Sequence, residues 1–249
     1  MREHIAGVRF AAMILTAYQP AYMPWLGLFH RIALSDTFCI MDTAGYSKQN
    51  FINRNRIKTA KGSLWLTVPV RARGAGAQPI CSVRIAERPW RAKHIATMKH
   101  AYGKAPYFDR YAPQLFAILD KGHEFLTGLT TDLLSYFMDR LGLRTRVVLA
   151  SECGIGGEKQ QYVLNMCAAL GASTFIFGGR GKEYADGRRF HEAGVDALFL
   201  EYKHPRYHQR DGRFLPEMSI VDLLFNEGPQ SLNVILGGNP GTVTEIVSV

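Results

Sequence analysis

Three polar side chains follow short apolar runs of this 249-residue sequence, where buried strands would end: Gln19, Asp42 and His204. An amide hydrogen-bonds a ligand hydroxyl, a carboxylate accepts a proton, and histidine titrates near neutral pH. If the apolar runs are strands of one parallel sheet, their carboxyl ends share an edge, and we expect the three side chains around one cavity. The pattern predicts His204 as a general base, with Asp42 as the second candidate and Gln19 as a substrate-binding residue.

Each of these residues also has a structural interpretation. Gln19 can brace Trp25 or the backbone, and Asp42 can cap a turn or pair with Arg54. His204 can hold its own loop through a hydrogen bond to a backbone carbonyl. The sequence leaves both interpretations open at all three positions.

A polar stretch after Asp42 adds donors for a carboxylate or a phosphate. Arg54 forks two hydrogen bonds, and an Asn-Arg-Asn loop presents further donors beside it. The predicted anion-binding residues of this stretch are Lys48, Asn53, Arg54 and Asn55.

Positive charge is concentrated in residues 48–110. This span holds fourteen Lys and Arg against two acids, a net charge of +12, whereas the rest of the chain sums to −3. A solvated basic face is one explanation. A surplus this local favours a surface that faces phosphates.

Two glycine-rich turns follow further strand-like runs, and such turns suit phosphates because they expose backbone N–H groups. The first, residues 154–157, precedes Lys159, and the second, residues 178–180, precedes Lys182 and Tyr184. Neither has the spacing of a P-loop or of a dinucleotide-binding turn. We predict Lys159, Lys182 and Tyr184 as substrate-binding residues.

Rigid aromatic and proline residues crowd the segment YQPAYMPWLGLF, residues 18–29. Tyr22 and Trp25 are predicted to stack on a sugar or base ring, and the alternative is that both are large core anchors. The prolines fix the shape of the loop, and Gly27 permits close backbone approach.

The elements that must position these residues follow from periodicity. Strands are predicted at 13–17, 37–41, 64–70, 80–85, 146–150, 174–177 and 197–201. Helices are predicted at 26–34, 158–170, 187–193 and 219–225, and over 89–141 with breaks near 103–106 and 122. The runs 64–70 and 80–85 are expected to form an antiparallel pair.

Strand–helix alternation at both ends predicts an α/β fold, a Rossmann-like parallel sheet with helices on both faces. The middle predicts an inserted hairpin-plus-helices subdomain. The domain prediction is a flexible N-terminal extension over 1–12 and a single α/β domain over 13–249, with a basic subdomain inserted at 50–141.

Composition narrows the class of protein. The four cysteines are scattered without a CxxC pair, which predicts reduced thiols in a cytoplasmic protein. No apolar run approaches the length of a membrane span. His204 and His208 have helical zinc spacing, but no carboxylate or cysteine nearby completes a ligand set, so no metal is expected.

Four stretches together resemble the WbqC-like family of bacterial proteins: YQPAYMPWLGLFHRIALSDTF, YSKQNFINRNRIKT with WLTVPV, YGKAPYF, and YKHPRYHQ with SIVDLLFNEGP. The resemblance runs from about residue 13 to 237. It implies a transferase of surface polysaccharide biosynthesis that moves an acyl or aminoacyl group, such as glycine, onto an amino sugar or another phosphate-bearing precursor. The implied ligands are a phosphate-bearing small molecule or nucleotide-sugar, with a nucleotide or acyl donor as the cofactor.

The resemblance also extends the set of candidate residues. It implies substrate-binding roles for Lys93 and His94, and for Tyr207 and Gln209 beside His204. One departure concerns Tyr18, which stands where relatives commonly have a histidine. If that histidine is a base in relatives, this chain lacks it.

Two other functions compete with the transferase. The run QPAYMPWLGLFHRI resembles the loop-to-helix turn of HIGH-type nucleotidyltransferases, but Trp25 and Leu28 stand at the two histidine positions. An RNA-binding module would use the +12 span with exposed aromatic residues, and strand spacing instead predicts Phe51, Trp65 and Trp90 to be core. Transfer RNA is therefore the less favoured partner.

Overall fold

A computed structural model describes residues 13–71, 78–237, 239 and 243–245. The predicted extension over 1–12 and most of the predicted loop between 71 and 79 lie outside the described residues.

A six-stranded sheet organises the chain. Its strands are β1 (Met13–Tyr18), β2 (Thr37–Ile40), β7 (Arg146–Leu149), β8 (Ala172–Gly178), β9 (Asp196–Leu200) and β10 (Val243–Glu245). The order across the sheet is β10-β9-β8-β1-β2-β7. The first five strands named are parallel, and β10 pairs with β9 antiparallel. The predicted parallel α/β sheet is confirmed.

Both faces of the sheet are buried because successive strand residues alternate between two apolar clusters. Phe38 and Ile40 point into one cluster, whereas Cys39 between them belongs to the other. Strands buried on both faces read as continuous apolar runs, which is why they are visible in the sequence.

Eight α-helices occur among the described residues. They are α1 (Leu26–Ala33), α2 (Trp90–Tyr102), α3 (Phe108–Asp120), α4 (Leu126–Leu141), α5 (Lys159–Leu170), α6 (Gly187–Glu192), α7 (Ile220–Glu227) and α8 (Ser231–Leu236). Helices α1 and α7 contribute to the cluster that contains Phe38, and α5 packs on the opposite face. No helix in the described ranges has the length and apolarity that crossing a membrane requires.

Between β2 and β7 the chain forms two small antiparallel pairs that differ from the predicted one. β3 (Arg54–Thr59) pairs with β4 (Gly62–Thr67), and β5 (Val70–Arg71) pairs with β6 (Arg84–Ile85). The predicted partnership of 64–70 with 80–85 is therefore right only at its ends, and the segment interpreted as an Asn-Arg-Asn loop is a strand. The reason is that β3 alternates buried Asn55 and Ile57 with cations, so its pattern lacks the apolar period of an ordinary strand.

The chain changes direction across the sheet between β1 and β8. From β1 it passes to β2 and β7 on one side, and it returns to β8 and continues to β9 on the other. In open parallel sheets, ligands bind beyond the carboxyl ends of the strands at such a switch point. Here the crevice lies where β1 ends at Tyr18 and β8 ends at Gly178.

Candidate functional site

One face of β3 carries three cations, Arg54, Arg56 and Lys58, at the two-residue spacing of a strand. We call this set the cation row. Trp65 of β4 lies directly opposite Arg56 in the hairpin register, and 42% of its surface is exposed. The pleat of a strand places residues i, i+2 and i+4 on the same face, so the hairpin aligns the three cations beside one exposed ring.

Each member of the cation row has a buried nitrogen without a hydrogen-bond partner among the described residues. These atoms are Nε of Arg54, Nε of Arg56 and Nζ of Lys58. Lys58 is only 5% exposed. Buried donors normally have acceptors, and an unpaired buried charge is costly. The row is therefore short of acceptors, which an anionic ligand would supply.

Other contacts hold the two guanidinium groups of the row in place. Nη2 of Arg54 donates to the carbonyl of Gln49 at 2.6 Å, and the group lies 4.4 Å from the ring centroid of Trp65. Nη2 of Arg56 donates to the carboxylate of Glu217 at 3.1 Å. These contacts orient the planar groups and leave their buried Nε atoms without an acceptor.

A fully buried carboxylate, Asp222 of α7, lies behind the row. Tyr102 donates to its Oδ1 at 2.8 Å, and Tyr207 and Gln209 donate to its Oδ2 at 2.7 and 2.8 Å. The hydroxyl of Tyr102 in turn accepts the backbone N–H of Lys58 at 2.9 Å. Asp222 thus connects helix α2, the loop after β9 and strand β3.

Burial controls the ionisation of this network. It raises the pKa of Asp222 above its ordinary range, although the three hydrogen bonds and the charge of Lys58 oppose the rise. It also raises the pKa of Tyr102 and Tyr207, so both stay protonated as donors. The network positions Lys58 and the loop, and it keeps the inner end of the row dry.

His204 reaches the same site through Glu217. The backbone N–H of Glu217 donates to Nε2 of His204 at 3.1 Å, while its carboxylate pairs with Arg56. On the other side of the ring, Nδ1 donates to the carbonyl of Pro205 at 2.8 Å. The two bonds require the neutral tautomer with its proton on Nδ1.

This geometry serves both interpretations of His204. The ring bridges two backbone groups, as a loop brace would. The bond to Pro205 also leaves the lone pair of Nε2 directed at the backbone N–H of Glu217, whose carboxylate pairs with Arg56. Burial lowers the pKa of His204 below its ordinary value, so the ring is neutral near pH 7.

Aromatic rings connect the row to the edge of the central sheet. Tyr18, Trp25, Phe51 and Trp65 follow one another with centroid separations of 5.0, 5.4 and 5.9 Å. We call them the aromatic row. Trp65 was expected in the core and is instead exposed, because its strand face is the cationic one, whereas Trp90 is buried as predicted.

Asp42 occupies a different part of the sheet edge. Its carboxylate accepts the N–H of Ser151 at 2.9 Å and the hydroxyl of Ser151 at 2.5 Å, and the residue is buried. Asp42 therefore connects the ends of β2 and β7. The alternative pairing with Arg54 is not observed, since Arg54 binds the carbonyl of Gln49.

Gln19 lines a small cavity with Pro20, Pro24, Leu28 and Thr130 among others, and neither Asp42 nor His204 lines it. All three residues follow parallel strands of the sheet, and their placement around one cavity stays a prediction. Among the described residues, no hydrogen bond holds the amide of Gln19, so it is free to meet a ligand.

Several predicted binding residues have structural partners instead. Tyr22 is fully buried, and its hydroxyl lies 2.8 Å from Nδ1 of buried His94, whose pKa burial lowers to about 4. Asn53 donates to the carbonyl of Val68, and Asn55 donates to that of Met23. These placements match core anchors and braces, and a buried Tyr22 ring offers no face to a ligand.

The remaining predicted residues lie at the surface or within the networks above. Lys48, Lys93 and Lys159 are exposed. Lys182 pairs with Glu201 at 2.5 Å, and Tyr184 is about half exposed. Within the described part of the chain, no three His, Cys, Asp or Glu side chains cluster as metal ligands would.

Sequence reasoning missed four residues of the site: Arg56, Lys58, Tyr102 and Asp222. The alternation of cations at 54, 56 and 58 was a usable signal for a strand with one charged face. Tyr102 and Asp222 carried no such signal, since they are 120 residues apart. Both do lie in stretches that carry the family resemblance, YGKAPYF and SIVDLLFNEGP.

Comparison with known proteins supports that resemblance. The model of the WbqC-like protein family matches residues 19–234. The chain is 34% identical over 215 residues to the uncharacterized protein Rv1507c of Mycobacterium tuberculosis, an alignment that covers 86% of this chain and 93% of the relative. No solved structure is significantly similar to the chain.

Proposed function

The chain belongs to the WbqC-like protein family, and on this premise we propose that it is a biosynthetic transferase. It moves an acyl or aminoacyl group onto an amino sugar or another phosphate-bearing precursor. The observation that carries the proposal is the cation row, in which three aligned cations each keep a buried nitrogen without an acceptor. A phosphate supplies those acceptors.

In this proposal the row binds and orients the phosphate of the precursor. Arg54 and Arg56 present partly exposed guanidinium groups to it, and Lys58 provides a point charge at the buried inner end. The partly exposed rings of the aromatic row provide flat surfaces for the sugar or base that carries the phosphate.

His204 is the proposed proton acceptor. The acceptor amine displaces the N–H of Glu217 from Nε2, and its nitrogen attacks the carbonyl carbon of the acyl donor. The new C–N bond forms as the bond to the leaving group breaks. The amine proton goes to Nε2, and the leaving group keeps the electron pair.

Asp42 remains the second proposed base. Its carboxylate is buried and accepts two hydrogen bonds from Ser151, so a substrate has little access to it. His204 needs to give up a single, longer bond to a backbone N–H. This difference is why His204 is preferred.

Replacing Arg54 by alanine is expected to weaken binding of a nucleotide-sugar or of inorganic pyrophosphate by ~1.5–3 kcal/mol, the scale of a charge-assisted hydrogen bond. The fold should survive, since Arg54 contacts an exposed ring and one surface carbonyl. Isothermal titration calorimetry measures the change.

The matched control is Lys61→Ala. Lys61 is an exposed cation at the turn of the same hairpin, so its removal changes net charge equally without touching the row. Equal losses of ligand affinity in the two variants would show that Arg54 acts only through its long-range charge and not through a direct contact. Loss of folding in Arg54→Ala, with unchanged affinity in the folded fraction, would show that Arg54 is structural.

A specific observation favours RNA binding as the second candidate function. Trp65 is exposed, and guanidinium groups of Arg54 and Arg56 lie 4.4 and 5.6 Å from its ring centroid, as at sites where bases stack beside phosphates. Binding to transfer RNA that weakens steeply with salt, and that Trp65→Ala abolishes, would support this function. The HIGH-type alternative has no such support, because Gly27 packs against the ring of Tyr202.

A further inference from the structure

Arg31 of helix α1 is a buried cation at the carboxyl edge of the central sheet, and it is only 6% exposed. Its Nη2 lies 3.3 Å from the carbonyl oxygen of Ala17, near the end of β1. Its Nη1 lies 3.1 Å from the position that a Cβ on Gly178 would take, at the end of β8. Any side chain at 178 would crowd the guanidinium.

The guanidinium has few acceptors for a buried charge. It offers five N–H donors, and among the described residues it makes one long hydrogen bond, to Ala17. No carboxylate in the described ranges pairs with it; its electrostatic neighbours are Tyr18 and Tyr184. Burial lowers its pKa to about 10. An arginine so placed is normally matched by an anion.

The location of Arg31 is the one that sheet topology favours for a ligand. Ala17 and Gly178 belong to β1 and β8, the neighbouring strands from which the chain turns in opposite directions. Crevices at such switch points bind nucleotides in many open parallel sheets. The half-exposed ring of Tyr184 and the partly exposed ring of Tyr18 flank the guanidinium.

We propose that Arg31, between Tyr18 and Tyr184, is a second anion site that binds a phosphate group of a small ligand at the switch point. The site is separate from the cation row. Tyr18 begins the aromatic row and Trp65 ends it, so Trp25 and Phe51 lie between the two sites. The inference does not depend on the transferase assignment, because it rests on Arg31 and its own surroundings.

Calorimetric titration of the full chain with inorganic pyrophosphate tests the proposal. Two sites per chain are expected in the wild type and one in Arg31→Met, with affinity at the lost site reduced at least tenfold. The melting temperature of ligand-free Arg31→Met should be unchanged or higher, since an apolar chain replaces an unmatched buried charge. Arg144→Met, which removes a highly exposed cation, is the control and should keep both sites.

Two further measurements show which kind of ligand supplies the phosphate and distinguish the Arg31 site from the cation row. If ADP binds the Arg31 site more tightly than pyrophosphate does, the ligand of the site is a nucleotide. If the two affinities are equal, the site recognises the phosphate group alone. Lys58→Met should lose the other site and keep this one, so failure of the cation row is seen independently. If Arg31→Met does not fold, Arg31→Lys keeps the charge without the fork and should still weaken this site.

The proposal is overturned by any of three results. In the first, the wild type binds no pyrophosphate. In the second, Arg31→Met and Arg31→Lys bind pyrophosphate with the same stoichiometry and affinities as the wild type. In the third, Arg31→Met folds and still binds pyrophosphate at two sites, but its ligand-free form has a much lower melting temperature. The last result would make Arg31 a brace for the end of β1.

Discussion

Replacing His204 by asparagine is expected to slow the transfer reaction by about 10² to 10⁴, the usual contribution of a positioned base. Asparagine keeps a donor for the carbonyl of Pro205 at the position of Nδ1, and the exposed N–H of Glu217 that it no longer reaches can bind water, so substrate binding and melting temperature should change little. Steady-state kinetics beside a thermal melt measures both effects.

The pH dependence of the rate is a second test of whether His204 is the base. Because burial lowers the pKa of His204 below its ordinary 6.5, Nε2 is unprotonated at neutral pH and becomes protonated only as the pH falls. The wild-type rate should therefore be level near pH 7 and decline on the acid side. The rate of His204→Asn should not show this decline on the acid side.

If His204 only holds its loop in place, the opposite pattern is expected. His204→Asn would then lower the melting temperature and leave turnover in the folded fraction intact. If neither quantity changes, the base lies elsewhere, and Asp42→Asn is the next variant to measure.

Replacing Asp222 by alanine is expected to lower the free energy of unfolding by about 2–6 kcal/mol, because the hydroxyls of Tyr102 and Tyr207 lose their acceptor and an unsatisfied buried donor costs roughly 1–3 kcal/mol. Gln209 also loses a hydrogen bond, but it keeps the carbonyl of Leu215 as an acceptor. Denaturant unfolding at constant pH measures the loss. A change below about 1 kcal/mol would contradict the role of Asp222 as the centre of the network.

The matched control is Asp132→Ala. Asp132 also binds two side chains, Lys121 and His123, but it lies near the surface. Exposed pairs contribute only about 0–1 kcal/mol, so this variant should lose little.

The effect of Asp222→Ala should also depend on pH. The pKa of Asp222 is raised in the folded protein, so the folded state binds its proton more tightly than the unfolded chain does. That contribution to stability is complete below the unfolded pKa of 3.8 and is lost as the pH rises through the folded value. The difference between wild type and variant should therefore shrink as the pH rises.

The central sheet could be predicted from the sequence because its strands are buried on both faces. Continuous apolar runs such as 37–40 have few alternative explanations, and parallel strands place the following residues at one edge. Gln19, Asp42 and His204 were assigned to that edge on this basis. Strand β10 and helix α8 were missed, since both are short and lack a strong periodic pattern.

The hairpin β3–β4 could not be recognised in the same way. Its buried face includes Asn55, and its other face is cationic, so apolar alternation did not separate it from a polar loop. The wrong prediction that Trp65 lies in the core has the same cause, because an aromatic residue in a strand is ordinarily placed in the core.

The sequence by itself determined the five parallel strands of the sheet, the surplus of positive charge and the family to which the chain belongs. Only the tertiary structure decided which cations form a site. In sequence, Lys58 and Lys61 are equivalent members of one basic span, yet in the fold Lys61 is solvated and Lys58 is buried without an acceptor beside Asp222. Burial and missing partners are properties of distant neighbours, such as Tyr102 and Asp222, which local sequence patterns do not contain.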